Sequence, residues 1–162
     1  MAGKYLQLHQ VSMVFETKKG PFCALDSVDL EIRAGEFVSL IGHSGCGKST
    51  LLNVVAGLDH PDAGTVALDG VALGALDDDA LTALRRTRMG FVFQAFHVLP
   101  YLSVAQNVAL PLSLVGVEAG EAARRVGGML AAVGLADRSE SAPRELSGGE
   151  LQRVAIARAL VH

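Results

Sequence analysis

Residues 42–50 read Gly-His-Ser-Gly-Cys-Gly-Lys-Ser-Thr and satisfy the spacing G-x-x-x-x-G-K-[ST] through Gly42, Gly47, Lys48 and Ser49. The chemistry this spacing serves is the capture of a phosphate chain. A loop that turns its backbone N–H groups inward around phosphate oxygens needs dihedrals that glycine reaches without a Cβ clash. Lys48 is placed to meet the β and γ phosphates as a point charge. Ser49 is placed to offer its hydroxyl to a Mg²⁺ that keeps most of its ligands as water and phosphate. Thr50, one helical position on, can cap or touch the α-phosphate. His43, Ser44, Gly45 and Cys46 complete the loop.

Two elements must hold this loop. The apolar run Phe37 to Ile41 precedes it and predicts a strand, while Leu51-Leu52-Asn53-Val54-Val55 follows it and predicts a helix whose positive N-terminus favours a polyanion. A glycine-rich turn with a stray lysine would not need both flanks. A second constellation lies at residues 146–150, Leu-Ser-Gly-Gly-Glu, running into LQRVAIARAL. Ser147 and Glu150 have the spacing of a helix capping box. Gln94 lies between the two, closing the apolar pattern Phe91-Val92-Phe93, at the kind of sheet edge where α/β folds bind ligands.

Together, the phosphate loop, Gln94 in FVFQ and the long LSGGELQRVAIARAL run make the chain resemble the ATP-binding subunit of an ABC transporter, over essentially all 162 residues. The resemblance implies an α/β P-loop NTPase core of ABC type with an antiparallel β subdomain and a helical subdomain. The core and β subdomain are expected in residues 1–94 and the helical subdomain with the LSGGE helix in 95–162. It further implies ATP and Mg²⁺ as cofactors, with Gln94 as the glutamine that meets Mg²⁺ beside Ser49 and senses the γ-phosphate. Ser147, Gly148, Gly149 and Glu150 are implied to reach, across a dimer, the γ-phosphate held by a second ATP-binding subunit. Phe15, in VSMVFETKKG, matches the early-loop aromatic that stacks on adenine; Tyr5, the competitor, lies in the alternating stretch Tyr5 to Val11 and reads as strand.

The family continues past this helix with an apolar strand ending in Asp-Glu, which hold Mg²⁺ through water and polarise the attacking water, and then a switch histidine. No run of four apolar residues followed by two acids occurs here, and His162 comes too early to be that histidine. The expectation is a truncated domain that lacks its catalytic base, binds MgATP weakly alone and does not turn it over.

Composition bounds the remaining possibilities. Half of the residues are hydrophobic, enough for a core, while a net charge of −3 and the lack of a basic stripe argue against a nucleic-acid partner. The two cysteines, Cys23 and Cys46, make neither a disulfide framework nor a metal site, and the N-terminus lacks the pattern of a signal peptide. These features suit the cytoplasm, and the resemblance adds a peripheral position on the inner face of the cell membrane, against a permease. Met89 to Val117 contains no charged residue, yet Gln94, Pro100, Pro111 and the Ser103 to Gln106 capping box break it, so it reads as no membrane span. Its apolar residues Phe96, Val98, Leu99, Tyr101 and Leu102 are expected to form the face that receives the permease.

Helices are predicted from Asp77 to Arg88 and from Glu118 to Val133, closed by Gly134, with a turn at Asp69-Gly70. Chromosome-maintenance and DNA-repair ATPases also pair such a loop with an LSGG-like motif, but no heptads of the required coiled coil lie between Gly42 and Leu146. A P-loop kinase would lack LSGGE, and a non-hydrolysing nucleotide-binding module is the alternative of another class. Within the family, RRTRMG and GFVFQAFHVLPYLSVAQNVALPL resemble the lipoprotein-release, cell-division and macrolide-export group. His43 and Cys46 resemble importers of nitrate, sulfonate or taurine.

Overall fold

The computed structural model describes residues 4–162, which divide into two compact units, one running up to Thr82 and the other Ala83–His162. The division falls inside a helix.

The first unit is built on a long hairpin. Strand β1 (Lys4–Thr17) and strand β2 (Gly20–Arg33) pair antiparallel around a two-residue turn, Lys18-Lys19, with Thr17 opposite Gly20. Strands β3 (Ala63–Leu68) and β4 (Val71–Ala72) extend the sheet in the order β2-β1-β3-β4, all antiparallel, and the Asp69-Gly70 turn joins the last two with both residues at positive φ. Alternation puts Leu6 and Leu8 of β1 and Val66 and Leu68 of β3 on one buried face. Val11 is buried in the same unit, as are Leu51 and Val54 of helix α1 (Lys48–Val55).

The register between β1 and both of its neighbours slips near Gln10, which has φ 49°. A bulge leaves backbone groups without ladder partners, and Asp29 supplies one: its carboxylate accepts from the Gln10 N–H at 2.9 Å and from His9 Nδ1 at 3.0 Å. The Gln10 N–H, followed by its side chain and His9, holds the Asp29 carboxyl below its usual range. Gly64 of β3 crosses here at φ 87°, and a Cβ on it would collide with the Gln10 carbonyl, so only glycine fits.

The expected phosphate-loop strand, Phe37 to Ile41, is not a strand, nor is Phe91 to Phe93. A strand is defined by its neighbour, and no described strand lies beside either segment. Their apolar side chains are correspondingly open: Phe37 is 97% and Ile41 93% exposed.

The second unit holds α3 (Val104–Leu114), α4 (Ala119–Ala132) and α5 (Gly148–Leu160), and it receives the end of α2 (Asp78–Arg88). Apolar residues three or four apart make its core: Val104, Val108 and Leu112 from α3, Val126 and Leu130 from α4, and Val154, Ala157 and Val161 at α5. Each helix start is specified chemically. Ser103 and Gln106 form a reciprocal capping box at α3, Glu118 accepts from the Gly120 and Glu121 N–H groups at α4, and Gly134 at φ 69° follows its end. No helix among the described residues is long and apolar enough to cross a membrane.

Gly127 and Gly128 sit exposed within α4, with open space where a Cβ would go and no positive φ. Replacing glycine by alanine at such a position reduces the entropy lost on folding. The double variant Gly127→Ala/Gly128→Ala is expected to gain about 1–2 kcal/mol in chemical denaturation. The carboxylate of Glu121 accepts from Arg124 and Arg125 at 2.7–2.8 Å, and these bonds, Arg124 first, lower its pKa from the ordinary 4.5 to about 2. A depressed carboxyl pKa stabilises the folded state fully above the ordinary value and ceases to do so as pH falls through the depressed one. The Glu121 side-chain carbonyl resonance should therefore titrate near pH 2 in the folded protein and return toward 4.5 in Arg124→Gln/Arg125→Gln.

Candidate functional site

The loop of residues 42–47 leads into α1, whose N-cap is Gly47 at φ 89°, and Gly45 is also left-handed at φ 78°. A left-handed residue between right-handed ones turns successive N–H groups to one side and makes an anion-binding concavity. Gly47 is also pressed against β2: a Cβ there would collide with the Ala24 carbonyl and crowd Leu25. The loop is thereby anchored to the hairpin, and its φ and its packing both exclude a side chain.

Lys48 reaches back over the loop it follows. Its ammonium donates to the carbonyls of Gly42 at 2.8 Å and His43 at 2.7 Å, and lies 3.5 Å from Cys46 Sγ. The charge is thus centred over the concavity. Ser49 is exposed and Thr50 half-buried in the first turn of α1. His43 Nδ1 donates to the Ser44 carbonyl at 2.9 Å, which leaves Nε2 free of that bond. A Cβ at Gly42 would sit 2.6 Å from Cys46 Sγ, so the loop closes on itself through the cysteine. A phosphate chain fits this cradle: it brings anionic oxygens to inward N–H groups, an ammonium and a helix N-terminus. Ser49 carries the hydroxyl that would face a cation held by those phosphates.

Phe15 lies in β1 rather than in a loop, because the hairpin is longer than the alternation of residues 5–11 indicates. It is 40% exposed and pairs across the strands with Phe22, itself 48% exposed. Phe22 lies two residues before Ala24, the residue that abuts Gly47. Phe22 had no assignment from sequence, since an isolated Phe in an apolar strand carries no signal until its partner is known.

In the second unit, Gln94 begins a tight turn closed by the Phe96 N–H donating to the Phe93 carbonyl at 2.9 Å, and its side chain is exposed. Phe96 and His97 follow with φ 59° and 47°, a strained pair for residues bearing side chains. The Phe93 ring stacks at 6.0 Å on Phe91 and lies 5.0 Å from His97. Arg158 of α5 donates from Nη1 to the His97 carbonyl and from Nη2 to the Phe96 carbonyl, both at 2.7 Å. On the other side of Gln94, Gly90 touches the Ala159 backbone so closely that any Cβ would clash. Gln94 is thus strapped at both flanks to the C-terminal end of α5.

At the other end of that helix is Ser147, the N-cap. Its Oγ donates to Glu150 Oε2 at 2.7 Å and accepts from the Glu150 N–H at 3.3 Å, while Glu150 Oε2 accepts from the Ser147 N–H at 2.8 Å. These bonds to Ser147, with Arg138 and Arg153 nearby, hold the Glu150 carboxyl below its usual range. Gly148 and Gly149 have open space at their Cβ positions. Ser147 and Arg158 are eleven residues apart, roughly 16 Å along the helix.

Of the apolar residues after Gln94, the structure exposes Tyr101, at 95%, and Leu99, at 41%, whereas Phe96 and Leu102 are half-buried and Val98 packs on the helical core. The fully buried Asn107 holds this segment: its Oδ1 accepts from the Leu99 N–H at 2.7 Å and its Nδ2 donates to the carbonyls of Leu99, Leu102 and Ser103. Neither Asn107 nor Arg158 was marked by sequence, although Arg158 lies inside the LSGGELQRVAIARAL run.

The sequence family described as ABC transporter matches residues 25–162. The chain belongs to that family. Among curated relatives, it is 49% identical over 160 residues to the methionine import ATP-binding protein MetN 2 of Burkholderia mallei, covering 99% of this chain and 40% of the relative. It is 48% identical over 143 residues to the lipoprotein-releasing system ATP-binding protein LolD of Bacteroides thetaiotaomicron, covering 88% of this chain and 66% of the relative. The chain thus spans about two fifths of the length of the first of these relatives. Among solved structures, the dimeric bacterial ABC transporter cassette MJ0796 superposes with a TM-score of 0.87 at 41% identity, over 96% of this chain and 69% of that one. The ABC cassette fold accounts for both the antiparallel sheet and the helical unit.

Cys46 and Cys23 are both free and exposed, but only Cys46 lines the phosphate loop. Alkylation mapped by mass spectrometry should show Cys46 protected by MgATP and Cys23 unaffected. Equal labelling of Cys46 with and without nucleotide would count against the loop as the binding site.

Proposed function

We propose that this chain is the ATP-binding part of an ABC transporter, in which MgATP binding and hydrolysis by a dimer of such subunits drive substrate movement through a membrane permease of the lipoprotein-release or export type. The observation that carries the ATP reading is the Lys48 ammonium centred over the Gly42–Gly47 loop at the start of α1. Lys48 and the loop N–H groups bind the β and γ phosphates, Ser49 and Gln94 face Mg²⁺, and Phe15 stacks on the adenine. Ser147, Gly148, Gly149 and Glu150 present the start of α5 to the γ-phosphate on a second subunit. Bound MgATP supplies the free energy of phosphoanhydride cleavage. None of Lys48, Ser49 and Gln94 can act as general base, so their part in this reading is to bind and orient the nucleotide.

In this reading residues 1–94 hold the nucleotide and 95–162 carry the LSGGE helix, whereas the compact units divide at Thr82, with Gln94 in the second. The exposure of Tyr101 and Leu99 supports a permease-facing contact here, with the subunit on the cytoplasmic face of the membrane as part of the same proposal. The export assignment rests on the run from Gly90 to Leu112, and LolD is a relative of that kind. An importer is the second reading, favoured by His43, Cys46 and the 49% identity to MetN 2.

Nucleotide titration with and without Mg²⁺ tests the site. Lys48→Ala removes two charge-assisted contacts to phosphate, and affinity for ATP is expected to fall roughly a hundredfold or more. Unchanged affinity in a folded Lys48→Ala variant would reject the assignment.

A further inference from the structure

Gln94 has no ladder or helix to hold it. Its turn is followed by two residues in the left-handed region, Phe96 and His97, a conformation that costs free energy at each and persists only where the surroundings impose it. What imposes it is visible on α5. Arg158 spends two of its five donors on the two carbonyls of that strained pair, at 2.7 Å each, from a half-buried position. On the opposite flank, the missing side chain of Gly90 allows backbone contact with Ala159, the next residue of the same helix. The Phe91, Phe93 and His97 rings close the turn between these two attachments.

We infer that Arg158 is a positioning residue for Gln94: its guanidinium fixes the left-handed Phe96-His97 backbone to α5, so that the Gln94 side chain and the Ser147 end of that helix move as one body. The inference rests on the proposed ATP reading for what Gln94 contacts, but the strap itself does not depend on it. A planar fork suits this task, because two carbonyls at adjacent residues are met in parallel by Nη1 and Nη2. A lysine could reach one of them at a time. Burial lowers the Arg158 pKa but leaves the group charged at neutral pH, and removing it strands two carbonyls in a partly desolvated site.

The test uses the whole chain and the variants Arg158→Gln, Arg158→Lys, Gln94→Ala and Gln94→Ala/Arg158→Gln. Amide hydrogen exchange is read for residues 94–99, with α4 as internal reference, alongside the affinity ratio for MgATP over MgADP. Arg158→Gln should speed exchange at Phe96 and His97 roughly tenfold or more while α4 stays as in the parent. It should also lower the ATP-over-ADP preference to that of Gln94→Ala, with ADP affinity unchanged. The double variant should show no further loss, and Arg158→Lys should recover part of both effects. A residue that merely stabilised the helical unit would change ATP and ADP binding alike and loosen α4 too. That pattern, or unchanged exchange at residues 94–99 in Arg158→Gln, overturns the inference. If the parent chain binds no nucleotide, the ATP reading and the role given to Gln94 fall together, whereas accelerated exchange at residues 94–99 alone would still establish the strap.

Discussion

Backbone that leaves both helix and ladder must find hydrogen-bond partners elsewhere, and in this protein the two loops with candidate site residues are each bonded by one cation reaching from a helix. Lys48, at the start of α1, takes the carbonyls of Gly42 and His43; Arg158, near the end of α5, takes those of Phe96 and His97. Bonds from a charged donor contribute roughly 1.5–3 kcal/mol each, enough to hold a short loop against its entropy. The two cations differ in what they can give up. Lys48 is a flexible ammonium over an open concavity, and phosphate oxygens bearing full charge outcompete carbonyl dipoles for it. Arg158 faces backbone on a half-buried surface and has no competitor there. One therefore keeps its loop ready for an anion, while the other fixes its turn permanently.

The start of α5 has a similar double use. The capping box satisfies the Ser147 and Glu150 N–H groups and occupies the single proton of the Ser147 hydroxyl, which donates to Glu150 while accepting from its N–H. For Ser147 to donate to a phosphate, its proton must leave Glu150 Oε2. The carboxylate would then keep the Ser147 N–H and the guanidinium of Arg138, 3.7 Å from its other oxygen. Arg138 and Arg153 thus limit the repulsion that an acid at this position would exert on an approaching phosphate. The cap makes the helix start rigid, and the small residues Gly148 and Gly149 keep its backbone approachable.

The sequence made legible whatever depends on neighbours within one helical turn. The capping boxes at Ser103 and Ser147, the Glu118 to Val133 helix with its Gly134 stop, the Asp69-Gly70 turn and the glycine-rich loop leading into α1 all follow from local sequence pattern, and the structure has them. What it hid depends on distant partners. Arg158 bonds to residues 61 and 62 positions away, and Phe15 and Phe22 become a pair only through the hairpin register. The strand expected at Phe37 to Ile41 failed for the same reason seen from the other side. Its β-rich apolar pattern describes a segment suited to a buried sheet, but whether it joins one is decided by neighbours that the pattern cannot contain.

The length of α5 constrains how the Gln94 amide and the Ser147 hydroxyl can be used. Gln94 is strapped beside Arg158 and Ala159, and Ser147 caps the other end, roughly 16 Å away along the axis. A side-chain amide and a serine hydroxyl each reach only a few ångströms beyond their backbones, so one helix cannot bring both to a single γ-phosphate. On the ATP reading proposed above, the two groups therefore serve different phosphates. The helix that separates the two contacts also joins them mechanically, because a shift of the Gln94 turn carries α5 with it through Arg158.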